Sequence, residues 1–91
     1  MKDLKFTELY EIYGKLLTKK QQVYMDKYFL RDLSLNEIAE ICKVSRQTVK
    51  DSLDFSKKLL LTYEKTLKLH QKIEKISKLI DDSQIIEILR G

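Results

Sequence analysis

Ninety-one residues with a net charge of +4, two glycines and no proline or tryptophan suit one helical domain and are too few for two. A single cysteine (Cys42) excludes a disulfide within one chain, and with a single histidine (His70) the usual Cys/His and His/carboxylate metal sets are not expected. No apolar run approaches the roughly 20 residues of a membrane span, and Glu8, Glu11 and Lys15 interrupt any signal-peptide core, so a cytoplasmic protein without membrane insertion is expected.

From the N-terminus, Leu4, Phe6, Leu9, Tyr13 and Leu16 recur at helical spacing and predict a helix over 4–17. Gly14 should weaken it without ending it. Thr18-Lys-Lys-Gln21 has the form of a capping box and opens a second helix over 19–31, anchored by Val23, Tyr24, Tyr28 and Phe29. Ser34-Leu-Asn-Glu37 is a cleaner capping box and opens a short helix ending at Cys42. Ser45 then caps a fourth helix. No breaker follows from Arg46 to Ile80, and a continuous helix of that length would run about 50 Å. Against a radius of gyration of about 13 Å for a compact domain of this size, either this helix breaks near 58–70 without a sequence signal, or part of it packs on another chain. Asp82-Ser83 can cap a last short helix carrying Ile85, Ile86, Ile88 and Leu89.

Residues 33–53, LSLNEIAEICKVSRQTVKDSL, carry the strongest signal. A helix-turn-helix needs a small residue at the helix crossing, an apolar plug in the turn, and a capped second helix with an inward β-branched residue. Ala39, Val44, Ser45 and Val49 supply these at the required offsets, flanked by Ile38, Cys42 and Leu53. Lys43 stands just before the plug, where many such turns use Gly for a positive φ. The predicted fold is all-α, with a helix-turn-helix domain over 1–58 and a C-terminal helical extension over 59–91 that packs on it or on a second subunit. The expected core includes Leu9, Tyr13, Leu16, Tyr28, Ile38, Ala39, Val44, Val49 and Leu53. The five tyrosines read as core residues with wet hydroxyls, and His70 as an interface or surface residue.

Charge is unevenly spread. Residues 43–72 hold eight basic and three acidic side chains, a net of +5, while residues 1–42 balance to zero. Such a segment suits a polyanion, though a solvated lysine face would look the same. On the second helix of the motif Arg46, Lys50 and Lys57 form a stripe, with Gln47 and Lys58 at its edge. Ser45, Arg46, Gln47, Lys50, Lys57 and Lys58 are therefore the candidate nucleic-acid contacts: Arg46 and Gln47 for base edges, the lysines for phosphates. Asp51 and Asp54 share that broad face and make the surface mixed, since a carboxylate near phosphates costs affinity unless it is paired. Further on, Leu69, Ile73, Ile76 and Ile80 recur at spacings of four, three and four, the seam of a helix pair, and mark a candidate homodimer interface. No nucleophile–base pair, phosphate loop or metal cluster is readable, so no catalytic residue, metal or cofactor is expected.

Three stretches resemble the YlxM family of small bacterial proteins: Tyr13-Gly-Lys-Leu-Leu-Thr18-Lys-Lys-Gln21, the run from Tyr28 to Glu40, and Val44-Ser-Arg-Gln-Thr-Val49. Residues 63–67 and 69–72 continue the likeness. Residues 18–58 also look like the DNA-binding fourth region of primary sigma factors. The resemblance implies a sigma-like helix-turn-helix and a regulatory link to the signal recognition particle, whose RNA or GTPase would be partners. A helix-turn-helix serving only as a protein-interaction scaffold stays open as the alternative.

Overall fold

The computed structural model describes residues 3–79, all helical apart from short links. Helix α1 (Leu4–Tyr13) leads through a 3₁₀ turn (Gly14–Leu16) to α2 (Lys19–Met25), which runs on into a π-helical turn (Asp26–Leu30). After these come α3 (Leu35–Cys42), α4 (Arg46–Leu67) and α5 (Leu69–Leu79). The all-α class is as the sequence predicts. The last short helix expected after Asp82 lies outside the described residues.

Capping side chains do the work that Gly and Pro do elsewhere. Thr18 Oγ1 accepts from the Gln21 N–H at 3.2 Å, and Gln21 Oε1 accepts from the Thr18 N–H at 2.9 Å. Ser34 and Glu37 repeat the exchange at 3.1 and 3.0 Å. Each box satisfies two N–H groups that a helix start leaves without partners.

The core gathers α1, α2, α3 and α4 around Leu9, Tyr13, Met25, Ile38, Val49 and Leu60, with Ala39 and Leu53 among the buried residues and Tyr28 and Val44 packed half-buried against them. Leu16, expected inside, is 57% exposed, and Leu17 takes its place. The cause is at Gly14, which ends α1. A Cβ there would stand 2.8 Å from the Tyr10 ring. Tyr10 leans across this space to donate to Asp26 Oδ1 at 2.7 Å. The chain then tightens into the 3₁₀ turn, and the inward face shifts by one residue. Val23, expected as an anchor of the second helix, is also exposed.

The long helix does break. Lys68 takes a left-handed backbone (φ 54°, ψ 31°), with its N–H on the Glu64 carbonyl at 2.7 Å. Glu64 Oε1 accepts from the Tyr13 hydroxyl at 2.7 Å and from the His70 N–H at 3.0 Å, and the Leu69 N–H donates to the Tyr13 oxygen at 3.0 Å. A buried tyrosine–carboxylate pair thus caps α5, with the negative charge where the helix dipole favours it. The Tyr13 hydroxyl is therefore not wet, contrary to the sequence reading. The molecule measures 46 × 24 × 20 Å.

Candidate nucleic-acid interface

The helix-turn-helix is formed by α3, the turn and α4. Ile38 and Val49 are fully buried at the crossing, with Ala39 between the helices. The turn requires the left-handed backbone that its sequence position suggests: Lys43 has φ 56° and ψ 46°. Its cost for a residue with a Cβ is about 1–2 kcal/mol, offset here by the Val44 N–H bond to the Ala39 carbonyl at 3.1 Å. This closes α3 and turns Val44 inward as the plug.

Ser45 Oγ accepts from the Thr48 N–H at 3.0 Å, so its hydroxyl is occupied as the cap of α4. Arg46 is exposed at the first helical position. Gln47 Nε2 donates to Asp51 Oδ1 at 2.7 Å, and Lys50 Nζ meets Asp54 Oδ2 at 2.9 Å. That hydrogen-bonded pairing holds the Asp54 carboxyl below the usual carboxylate range and pushes the Lys50 ammonium up. Exposed pairs at this helical spacing are weak. Gln47 and Lys50 can therefore leave their aspartates for a ligand.

Lys57 sits differently. Its ammonium lies 5.5, 5.9 and 5.7 Å from the ring centres of Phe6, Tyr28 and Phe29. It is half-buried among aromatic faces that attract a cation. Lys58 is exposed, one residue further round the helix. Of the six candidate contacts, Arg46, Gln47, Lys50 and Lys58 thus stand on open surface, Ser45 serves the cap, and Lys57 serves the aromatic cluster. Along α5, Leu69 and Ile73 are 41% and 52% exposed and Ile76 is half-buried. Ile80 lies outside the described residues.

Two groupings escaped sequence reasoning. Tyr13 and Glu64 are 51 residues apart, and His70 Nε2 meets Glu8 Oε2 at 2.5 Å across 62 residues. Only His70 and Glu74, four apart on one helix, could have been paired from the sequence. No described helix is long and apolar enough to cross a membrane.

The comparisons with known proteins agree with this architecture. Residues 1–88 match the family described as "UPF0122: Putative helix-turn-helix protein, YlxM / p13 like". A UPF0122 protein of Oceanobacillus iheyensis is 39% identical over 93% of this chain and 81% of its own length. One from Geobacillus is 44% identical over 88% and 73%, and one from Mycoplasma capricolum 41% over 98% and 86%. With a motif of capped helices, turn plug and small crossing residue in place, and a match that spans nearly all 91 residues, the chain belongs to the UPF0122 family of YlxM/p13-like helix-turn-helix proteins.

Proposed function

We propose that this protein is a non-catalytic, cytoplasmic nucleic-acid-binding regulator that works with the signal recognition particle. The observation that carries the reading is the capped start of α4, where Arg46 is exposed, and Gln47 and Lys50 are held only by surface aspartates. The net +5 over 43–72 extends a cationic field along the same helix, through Lys58 and Lys65. The particle is the expected partner because of the resemblance to the YlxM family.

Particle RNA is largely A-form, and its deep, narrow major groove does not admit a recognition helix. Contact would then run through phosphates and shape, which tolerates Asp51 and Asp54 better than base reading does. Mobility shifts at low salt, with particle RNA, the particle GTPase and random duplex DNA of equal length, test the proposal. Preference for the particle components is expected. Stronger binding to random DNA, with no contact to the GTPase, would overturn the particle link and leave a DNA-binding regulator.

The two aspartates favour one second reading, a helix-turn-helix used as a protein-interaction scaffold. Binding to the GTPase without any nucleic acid would select it. In either case we propose a homodimer through Leu69, Ile73, Ile76 and Ile80, because none of the residues of α5 is buried within one chain. Sedimentation at micromolar concentration should give about twice the chain mass. A monomer unaffected by Ile76→Asp would remove the dimer.

A further inference from the structure

Helix α5 contributes no buried residue, and the body it lies against is α1. Between the two helices is a cavity of about 420 Å³, lined among others by Glu8, Glu11, Ile12, His70, Ile73 and Glu74. We propose that Glu8, His70 and Glu74 form a divalent transition-metal site, suited to Zn²⁺, that clasps α5 onto α1.

The donor set comes from both helices. His70 and Glu74 stand four residues apart on one face of α5, and Glu8 reaches them from α1. Their donor atoms all lie within 4.8 Å of one another. His70 Nε2 is 2.5 Å from Glu8 Oε2 and 3.8 Å from Glu74 Oε1. Tetrahedral zinc, with bonds of about 2.0–2.2 Å, holds its donors about 3.3–3.5 Å apart. The two distances bracket that value, so small side-chain rotations suffice. The imidazole side chain is only 16% exposed and is held by packing, while the carboxylates are 41% and 55% exposed and free to adjust.

Charge points the same way. Three carboxylates (Glu8, Glu11 and Glu74) line the cavity against one lysine, Lys78. A dication bound among them would balance this excess of carboxylates. An imidazole nitrogen also selects zinc-like ions over calcium and magnesium, which prefer oxygen alone. Three protein ligands leave a fourth position for water.

The test is calorimetric titration of the untagged full chain with zinc chloride, alongside His70→Ala, Glu74→Gln and Cys42→Ser. One ion per chain is expected in the micromolar range. His70→Ala and Glu74→Gln should each weaken it by about tenfold or more, since losing a ligand costs at least as much as losing its outer support. Cys42→Ser should change nothing. Circular dichroism identifies any variant that has lost helix. Hydrogen exchange gives an independent readout: zinc should slow exchange over 69–79 in the wild type and not in Glu74→Gln. That variant separates the two explanations, because a hydrogen bond between His70 and Glu8 alone barely involves Glu74. Zinc binding that is absent, or equal in wild type and Glu74→Gln, would reduce the cluster to a hydrogen-bonded contact and overturn the metal site.

Discussion

The Tyr13 hydroxyl and the Glu64 carboxylate, 2.7 Å apart and joined across 51 residues, set where α4 ends and α5 begins. Burial alone would push the Glu64 carboxyl up. The hydrogen bonds from Tyr13 and from the His70 and Gln71 N–H groups outweigh it and hold the carboxyl below its usual range. Burial and the same carboxylate push the Tyr13 phenol up, so it stays a donor at neutral pH.

The first prediction follows from this pair. Tyr13→Phe leaves a buried carboxylate and the Leu69 N–H each short of a partner, at a cost of about 1–3 kcal/mol. Hydrogen exchange over 69–79 should rise more than over 35–53. Glu64→Gln should lower the melting midpoint at pH 7. A depressed carboxyl stabilises fully above its unfolded value near 4.5 and loses this as pH falls through the folded value. The gap between wild type and Glu64→Gln should therefore narrow below pH 4.5. Parallel melting curves from pH 7 to pH 3 would contradict this role for Glu64.

Lys43 supports a second prediction. Its left-handed backbone strains a residue with a Cβ, and its side chain is exposed. Lys43→Gly should stabilise the protein by up to about 1 kcal/mol, the relief of strain being partly cancelled by the greater freedom of glycine in the unfolded chain. A fall in the urea midpoint would mean that the lysine side chain contributes something its exposure does not suggest.

A third concerns Ser56. Its hydroxyl is fully buried in α4 without a hydrogen-bond partner among the described residues. Leaving such a group without a partner costs about 1–3 kcal/mol. Ser56→Ala removes it at nearly the same volume and with better helix propensity. The melting midpoint should rise by several degrees, and an unchanged or lower one would show that the hydroxyl is satisfied in solution.

These sites also show what the sequence could and could not disclose. The capping boxes at Thr18 and Ser34, the Ala39 crossing and the Val44 plug are local patterns, and each is found where its spacing puts it. The strain at Lys43 is legible because the motif dictates a positive φ there. The break at Lys68 is not, because its cause is Tyr13, far away in α1, and no glycine or proline marks it. Leu16 departs from its expected place because a period of 3.6 does not hold past Gly14, where the chain passes into a 3₁₀ turn beside the Tyr10 ring. In the candidate site, wheel position puts Arg46 and Lys50 on one face of α4, and both are exposed there. It cannot show that Lys57, on the same stripe, lies against a cluster built from α1 and the π-helical turn after α2.

Lys57 and Arg46 provide the last prediction, since they separate structural charge from binding charge. Lys57 rests within 6 Å of three ring centres, where each cation–aromatic contact contributes about 0.5–1 kcal/mol at a partly exposed site. Lys57→Gln should lower the melting midpoint while leaving the salt dependence of nucleic-acid binding almost unchanged. Arg46→Gln should do the reverse. It leaves stability within about 0.5 kcal/mol, as for most surface changes, and reduces the logarithmic salt slope by about 0.9 on duplex DNA or about 0.7 on single strands. Lys58→Gln should resemble Arg46→Gln. Fluorescence anisotropy titrations at several salt concentrations, paired with thermal melts of the same samples, measure both quantities. Equal slopes for wild type, Arg46→Gln and Lys58→Gln would show that the open face of α4 does not meet phosphate. A lowered slope for Lys57→Gln would show instead that its ammonium leaves the rings to bind.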